Sequence, residues 1–306
     1  MNIVVVGSVA YDSVQTPRGT RDDQLGGSAT FFSLAAAKLG ARSGIVAVVG
    51  EDFRSTDRTI LTDHDVDLAG LSVIDGGKTF RWGGRYHDNM NDRDTLFTHL
   101  NVFENFRPQL PESYRKANLV FLGNIHPSLQ SNVLEQVASP HFVAADTMNL
   151  WIDTTRDELV DVLNRVDCLF LNDEEAKMLT GQNTVTRAAR AIQELGPNTV
   201  VVKRGEHGAM LVSEEDVFFA PAFPLEDVTD PTGAGDSFAG GFMGHLAQTA
   251  DFTPANMRRA MIVGSLVASF SVEGFSVDRL SRVTGDDIQR RYNAFADLTR
   301  FAPLAL

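Results

Sequence analysis

A single cysteine in 306 residues excludes two kinds of chemistry at once. Cys168 has no intrachain partner for a disulfide, and a cysteine-built zinc site is impossible. It lies in the apolar run Cys168-Leu169-Phe170-Leu171, the setting of a buried, inert thiol. Basic residues are also scarce: 27 Lys and Arg against 40 Asp and Glu leave a formal charge of −13. Phosphate backbones are met by Lys and Arg, so this balance argues against a nucleic-acid partner, though not against a small phosphate ester. Long apolar runs are missing too. No stretch approaches the roughly 18 apolar residues of a membrane span. Met1-Asn2-Ile3-Val4-Val5-Val6-Gly7 lacks the basic start and the apolar length of a signal peptide. The chain reads as cytoplasmic, with no membrane partner. His64, His87, His99, His126, His141, His207 and His245 are scattered, and none are paired at metal-ligand spacing.

What is present alternates. Short runs rich in Val, Ile and Leu recur at Ile3–Val6, Ile45–Val49, Leu119–Leu122, Phe142–Ala145, Cys168–Leu171 and Thr199–Val202. They are continuously apolar, as strands buried on both faces of a parallel sheet must be. Helical patterns separate them at Ser28–Leu39, Glu174–Leu179 and Arg187–Leu195, which predicts a doubly wound α/β sheet. Three further helices are expected near the end, over Ala234–Ala247, Pro254–Val272 and Gly285–Leu298. One region breaks the rhythm. In Thr79-Phe80-Arg81-Trp82-Gly83-Gly84-Arg85-Tyr86, Phe80, Trp82 and Tyr86 fall on one face and Arg81 and Arg85 on the other. Residues of about 12–20 and 71–103 are therefore expected to form a small separate β-sheet within a single domain spanning 1–306.

The segment Asp230-Pro231-Thr232-Gly233-Ala234-Gly235-Asp236-Ser237-Phe238-Ala239-Gly240-Gly241 carries the most chemistry. Small residues at Gly233, Ala234 and Gly235 let a ligand approach the backbone, and the apolar residues after them suit a buried helix. Exposed amides and a positive helix end then meet at one place, which favours an anion. A carboxylate there repels a phosphate that is merely bound. It makes sense if Asp236 takes a proton from an attacking hydroxyl while the amides stabilise the phosphoryl group in transit. A ligand-free glycine turn capped by Asp is the competing reading.

This run strongly resembles the C-terminal signature of the ribokinase/PfkB family of carbohydrate and nucleoside kinases, residue for residue over Asp230–Gly241. The resemblance implies a ribokinase-like, three-layer α/β fold with a small β-sheet lid. It implies Asp236 as general base, with Gly233, Ala234 and Gly235 as the anion hole and Thr232 beside the nucleotide. It extends over almost the whole chain. Gly26-Gly27-Ser28 before a helix is similar to the family's N-terminal signature, which places Gly26, Gly27 and Ser28 at the substrate. Phe31 stands where the family usually has Asn, so the contacts there differ. Asp12 occupies the position of an Asp that binds sugar hydroxyls with both oxygens, while a solvated loop Asp is the plain alternative.

Asn172-Asp173-Glu174-Glu175 resembles the family's N-x-x-E motif. The implied role of Asn172 and Glu175 is to organise Mg²⁺ and nucleotide phosphates through water, as suits a cation that keeps several waters. The same residues read as a helix N-cap and capping box, and both readings can hold. Gly205 and Gly208 fit a G-x-x-G that lines the ATP site, with Lys203 or Arg204 near the phosphates. Asp146 and Asn149 end a strand of the sheet, where open α/β folds bind ligands, and are candidate substrate residues. Val267-Ala268-Ser269 and Gly274 resemble the stretch that covers adenine and, in some members, helps hold a monovalent cation such as K⁺.

The implied reaction is ATP- and Mg²⁺-dependent phosphorylation of a hydroxyl, such as a hydroxymethyl, on a small sugar. A nucleoside is the alternative acceptor. In this family the small sheet closes over the acceptor and often pairs with a second lid, which implies a homodimer. Phe80, Trp82 and Tyr86 fit a sugar face, a nucleobase or such an interface equally well. Two other classes compete. A nicotinamide dehydrogenase needs G-x-G-x-x-G after the first strand, and Gly7-Ser8-Val9-Ala10-Tyr11-Asp12 lacks it. A non-catalytic nucleotide- or sugar-binding regulator would not need its base, yet Asp236 is intact.

Overall fold

Valine and leucine runs with no polar face can pair only inside a covered sheet, and the chain builds one. A computed structural model describes residues 3–302. Its strands are β1 (Ile3–Val6), β2 (Ala10–Thr16), β3 (Gly19–Gly26), β4 (Ser43–Gly50), β5 (Asp67–Ile74), β6 (Phe80–Tyr86), β7 (Arg93–His99), β8 (Leu119–Leu122), β9 (Phe142–Asp146), β10 (Cys168–Asn172), β11 (Thr199–Lys203), β12 (Ala209–Ser213) and β13 (Val217–Ala220). Nine form one sheet in the order β13-β12-β11-β10-β9-β8-β1-β4-β5. Pairing is parallel throughout, except that β12 runs antiparallel to β11 and β13. Among the described residues no helix is long and apolar enough to cross a membrane.

Helices cover both faces, so the fold has three layers. On one face Ser28–Ala37, Ala234–Thr249 and Pro254–Ser271 pack a core around Phe32, Phe121, Phe170 and Phe242. On the other, Arg156–Leu163, Asp173–Thr180 and Val185–Gln193 pack around Val4, Val120, Leu169 and Val200. Two helices of the first layer approach closely because glycine lines their contact. A Cβ on Gly240 would stand 2.3 Å from the Phe32 carbonyl oxygen, closer than packed atoms allow.

The chain leaves β1 toward β4 and β5 on one side and resumes at β8 on the other. Strand order thus reverses between β1 and β8, and the crevice at their carboxyl ends is where such sheets bind ligands. The remaining four strands form a second sheet, β3-β2-β6-β7, that rises from that end. Its bounds differ from those expected. Asp67–Ile74 pairs in parallel with β4 and extends the main sheet, so the second sheet draws on 10–26 and 80–99, not 12–20 and 71–103. The reason is close packing: a Cβ on Gly70 would lie 2.5 Å from the Ile45 carbonyl oxygen, so β5 sits tight on β4.

Candidate active site

Three chain segments converge at the crevice. The first follows β1, where Ser8 and Ser28 exchange hydrogen bonds: Ser8 N donates to Ser28 Oγ at 3.1 Å and Ser28 N to Ser8 Oγ at 3.0 Å. Ser28 therefore ties the helix start to the end of β1, and its hydroxyl is not a free ligand for substrate. Asp12, on β2, is 7% exposed and rests on the paired glycines. A Cβ on Gly26 would stand 2.0 Å from Asp12 Oδ2, so Gly26 is what admits the carboxylate. Burial, with the Asp230 charge next, raises Asp12 to about 7, while a bond from the Gly27 amide opposes the rise.

The second segment is the turn before the helix Ala234–Thr249. Asp230 is buried, with one oxygen accepting from Thr232 N at 2.9 Å and the other from Ser276 N at 3.1 Å. Gly233 adopts φ +74°, a conformation that side chains resist, and a Cβ there would be 2.3 Å from the Phe31 ring. Phe31 thus lies against the anion turn and lines a small cavity with Asp12, Asp230, Thr232, Val14 and Phe275. The Ala234 amide donates back to the Pro231 carbonyl at 3.1 Å, so of the expected anion hole the Gly233 and Gly235 amides are the two that keep no protein acceptor among the described residues. Asp236 follows. Burial, then the Asp146 charge, pushes it up to about 7, against the pull of Lys203 and Arg93.

The third segment is the row of strand ends β9, β10 and β11. Lys203 Nζ donates to Asp146 Oδ2 at 2.8 Å, and both side chains are largely buried. A Cβ on Gly235 would lie 3.0 Å from Lys203 Nζ, which puts the ammonium beside the anion turn. Burial works against its charge, but Asp146 and Glu175 more than offset this and hold Lys203 above the usual lysine range. Asn172 and Glu175 form a reciprocal capping box: Glu175 N donates to Asn172 Oδ1 at 2.7 Å, and Asn172 N to Glu175 Oε2 at 2.8 Å. Burial raises Glu175 to about 7. Among the described residues no three His, Cys, Asp or Glu gather as a metal cage. The donors that remain, one Glu175 oxygen and its neighbours, suit a hydrated Mg²⁺ held through water.

Other expected residues are already engaged or lie exposed. Asp146 is engaged with Lys203, while its other oxygen accepts from Thr147 N. Asn149 is exposed at the start of the helix Asn149–Thr154, its Oδ1 accepting from Leu150 N, and no hydrogen bond joins it to the Asp12 or Asp236 groups. Gly205 and Gly208 shape the turn from β11 to β12, with φ +54° and +85°. Arg81 belongs to the outer face of the small sheet. It pairs with Asp23 at 2.6 Å and Asp52 at 2.8 Å, stacks near Tyr11, and does not face the cavity. Arg85 is exposed.

The inner face of the small sheet carries the expected Trp82 and Tyr86, and beside them stand Arg93, Arg21 and Phe275, which sequence reasoning missed. Asp12 pairs with Trp82 across β2 and β6, and Tyr86 with Arg93 across β6 and β7. Thr232 Oγ1 donates to Tyr86 Oη at 3.3 Å, which seats the sheet on the anion turn. Phe275 and Arg21 stack at the far side of the cavity, with the guanidinium 5.1 Å from the ring centre. These residues are far apart in sequence, and only the sheet register gathers them.

Known proteins share this fold. A profile described as pfkB family carbohydrate kinase matches residues 1–281. A cytidine kinase from Thermococcus kodakarensis is 32% identical over 249 residues, covering 79% of this chain and 87% of that protein. A nucleoside kinase from Methanocaldococcus jannaschii, a member of the ribokinase family, superposes with a TM-score of 0.77 at 19% identity, over 96% of this chain and 99% of that one. An Escherichia coli protein described as ribokinase II, solved with ATP and Mg²⁺, gives a TM-score of 0.79 at 20% identity, again over 96% and 99%.

Proposed function

Because the chain belongs to the pfkB family of carbohydrate kinases, we propose that it transfers the γ-phosphoryl group of ATP to a hydroxymethyl oxygen of a nucleoside. The observation that carries the reaction is the placement of Asp236. It stands in the first turn of a helix, one residue after Gly235, whose amide keeps no protein acceptor among the described residues and which lies beside the Lys203 ammonium. A carboxylate that burial and the Asp146 charge raise to about 7, against the pull of Lys203 and Arg93, is a base matched to neutral operation.

The steps balance simply. Asp236 accepts the hydroxyl proton as the acceptor oxygen forms its bond to γ-phosphorus. The bond from γ-phosphorus to the bridging oxygen breaks, and ADP leaves with that electron pair. The Gly235 amide, the helix end and Lys203 stabilise the charge in transit. Asn172 and Glu175 would hold Mg²⁺ through water, where it neutralises phosphate charge. Asp12, with both oxygens accepting, binds two neighbouring hydroxyls and turns the third toward Asp236. The small sheet acts as a lid over the acceptor, which keeps water from competing for the phosphoryl group.

A nucleoside is preferred to a simple sugar because of the cavity wall. Phe31 and Phe275 give it two aromatic surfaces, and Asn, the usual partner of a sugar hydroxyl, is missing at 31. The cytidine kinase and nucleoside kinase among the relatives support the same choice. A panel of nucleosides and free sugars with ATP and Mg²⁺ tests it, with ADP release as readout and phosphorus NMR to place the product phosphate. Nucleosides should turn over with higher kcat/KM than ribose, fructose or gluconate derivatives. A sugar that outruns every nucleoside would reverse the choice of acceptor and leave the role of Asp236 standing. K⁺ is proposed only as an accelerant, checked by replacing it with a bulky organic cation.

A further inference from the structure

We infer that Arg93 is a further catalytic residue, which brings a positive charge from the lid onto the phosphoryl group in transit while Lys203 brings another from the large sheet. This rests on the phosphoryl transfer proposed above. Arg93 opens β7 and lies directly opposite Tyr86, so the two side chains share a face. That face is the inner one, because Tyr86 Oη bonds Thr232 Oγ1 on the anion turn. The guanidinium stands 5.8 Å from the Trp82 ring centre, and among the described residues it forms no ion pair. The hairpin that carries it reaches the nucleotide side: a Cβ on Gly205 would be 2.8 Å from Asn91 Oδ1. Arg93 is thus bracketed by the anion turn on one side and the Gly205 turn on the other. Its charge reaches Asp236, where it opposes part of the rise that burial imposes.

Arg81, on the outer face of the same sheet, behaves differently. It is neutralised by two carboxylates, as an arginine that fastens structure should be. An unpaired guanidinium held near Asp236, Glu175 and an anion turn is arranged for a ligand with negative charge of its own. Because it travels with the lid, closure over the acceptor and completion of the charge set become one event.

Arg93→Gln and Arg93→Lys test this, with Arg85→Gln as the outer-face control on the same hairpin, both arginines being exposed. Arg93→Gln should lower kcat about 100-fold, the usual cost of removing one transition-state donor, and leave the acceptor KM near its wild-type value. Arg93→Lys should recover part of the rate. A second readout needs no turnover. Calorimetry should show the preference for a non-hydrolysable ATP analogue over ADP reduced about tenfold in Arg93→Gln, as one charge-assisted bond is lost. Thermal unfolding should match wild type. A kcat equal to that of Arg85→Gln, or a loss seen in acceptor KM alone, would overturn the assignment. If wild type itself phosphorylates no acceptor, the proposed reaction fails, and the analogue-to-ADP preference still decides Arg93.

Discussion

Asp12, Asp230 and Asp236 press three carboxylates into one small space, and burial lifts Asp12 and Asp236 to about 7 from an ordinary 3.8. A folded protein that holds a proton more tightly than its unfolded chain loses stability as pH rises between the two values. The ligand-free protein is therefore expected to weaken from about pH 4 to pH 7, with Glu175 adding to the trend. Asp12→Asn keeps the shape and removes one charge. Urea unfolding should show it more stable than wild type above pH 7, by at most roughly 4 kcal/mol, with the gain shrinking toward pH 4. The same variant should lose acceptor affinity, a trade of function for stability. Activity carries the opposite sign. The kcat/KM of the free enzyme should rise with pH through about 7 as Asp236 ionises.

At the scale of elements, the turn before Ala234–Thr249 is the part least able to absorb change. Gly233→Ala places a Cβ into the Phe31 ring at a backbone angle of φ +74°. It should cost about 1–3 kcal/mol in stability and most of the turnover, measured by unfolding and by ADP release. This turn was readable in advance because its residues are contiguous and their spacing is the chemistry. The six strands were readable for a similar reason: each is an unbroken apolar run buried on both faces. Asp67–Ile74 was not, since at the sheet edge most of it faces solvent and its pattern resembles the neighbouring small sheet. Asn149 misled because nearness to Asp146 in sequence is undone when the chain turns at once into an exposed helix. Arg93, Phe275 and Arg21 left no local signal. Their place depends on register across strands and on segments distant in sequence, Phe275 lying far beyond both Arg21 and Arg93.

For the whole molecule, the proposed division of labour is between a fixed charge set on the large sheet and a cover made by the small one. Three contacts fasten the cover to the segment that leads into the anion turn: Thr16 Oγ1 donates to the Thr229 carbonyl at 2.9 Å, Tyr86 meets Thr232, and Arg18 pairs with Asp227. β3 and β7 remain edge strands of the small sheet, and Leu96 on β7 is 40% exposed. A second lid laid along that edge is the proposed dimer contact, because unpaired strand edges invite pairing. Leu96→Lys should shift sedimentation toward monomer, and an unchanged sedimentation coefficient would remove the lid edge from the interface.

The central claim is that Asp236 takes the proton when ATP phosphorylates a nucleoside hydroxyl. The most direct measurement compares wild type and Asp236→Asn at saturating ATP, Mg²⁺ and the best acceptor. Calorimetric nucleotide binding is followed on the same samples. The account predicts intact nucleotide binding with transfer lowered by about 10³-fold or more. Equal transfer rates in the two proteins would contradict it.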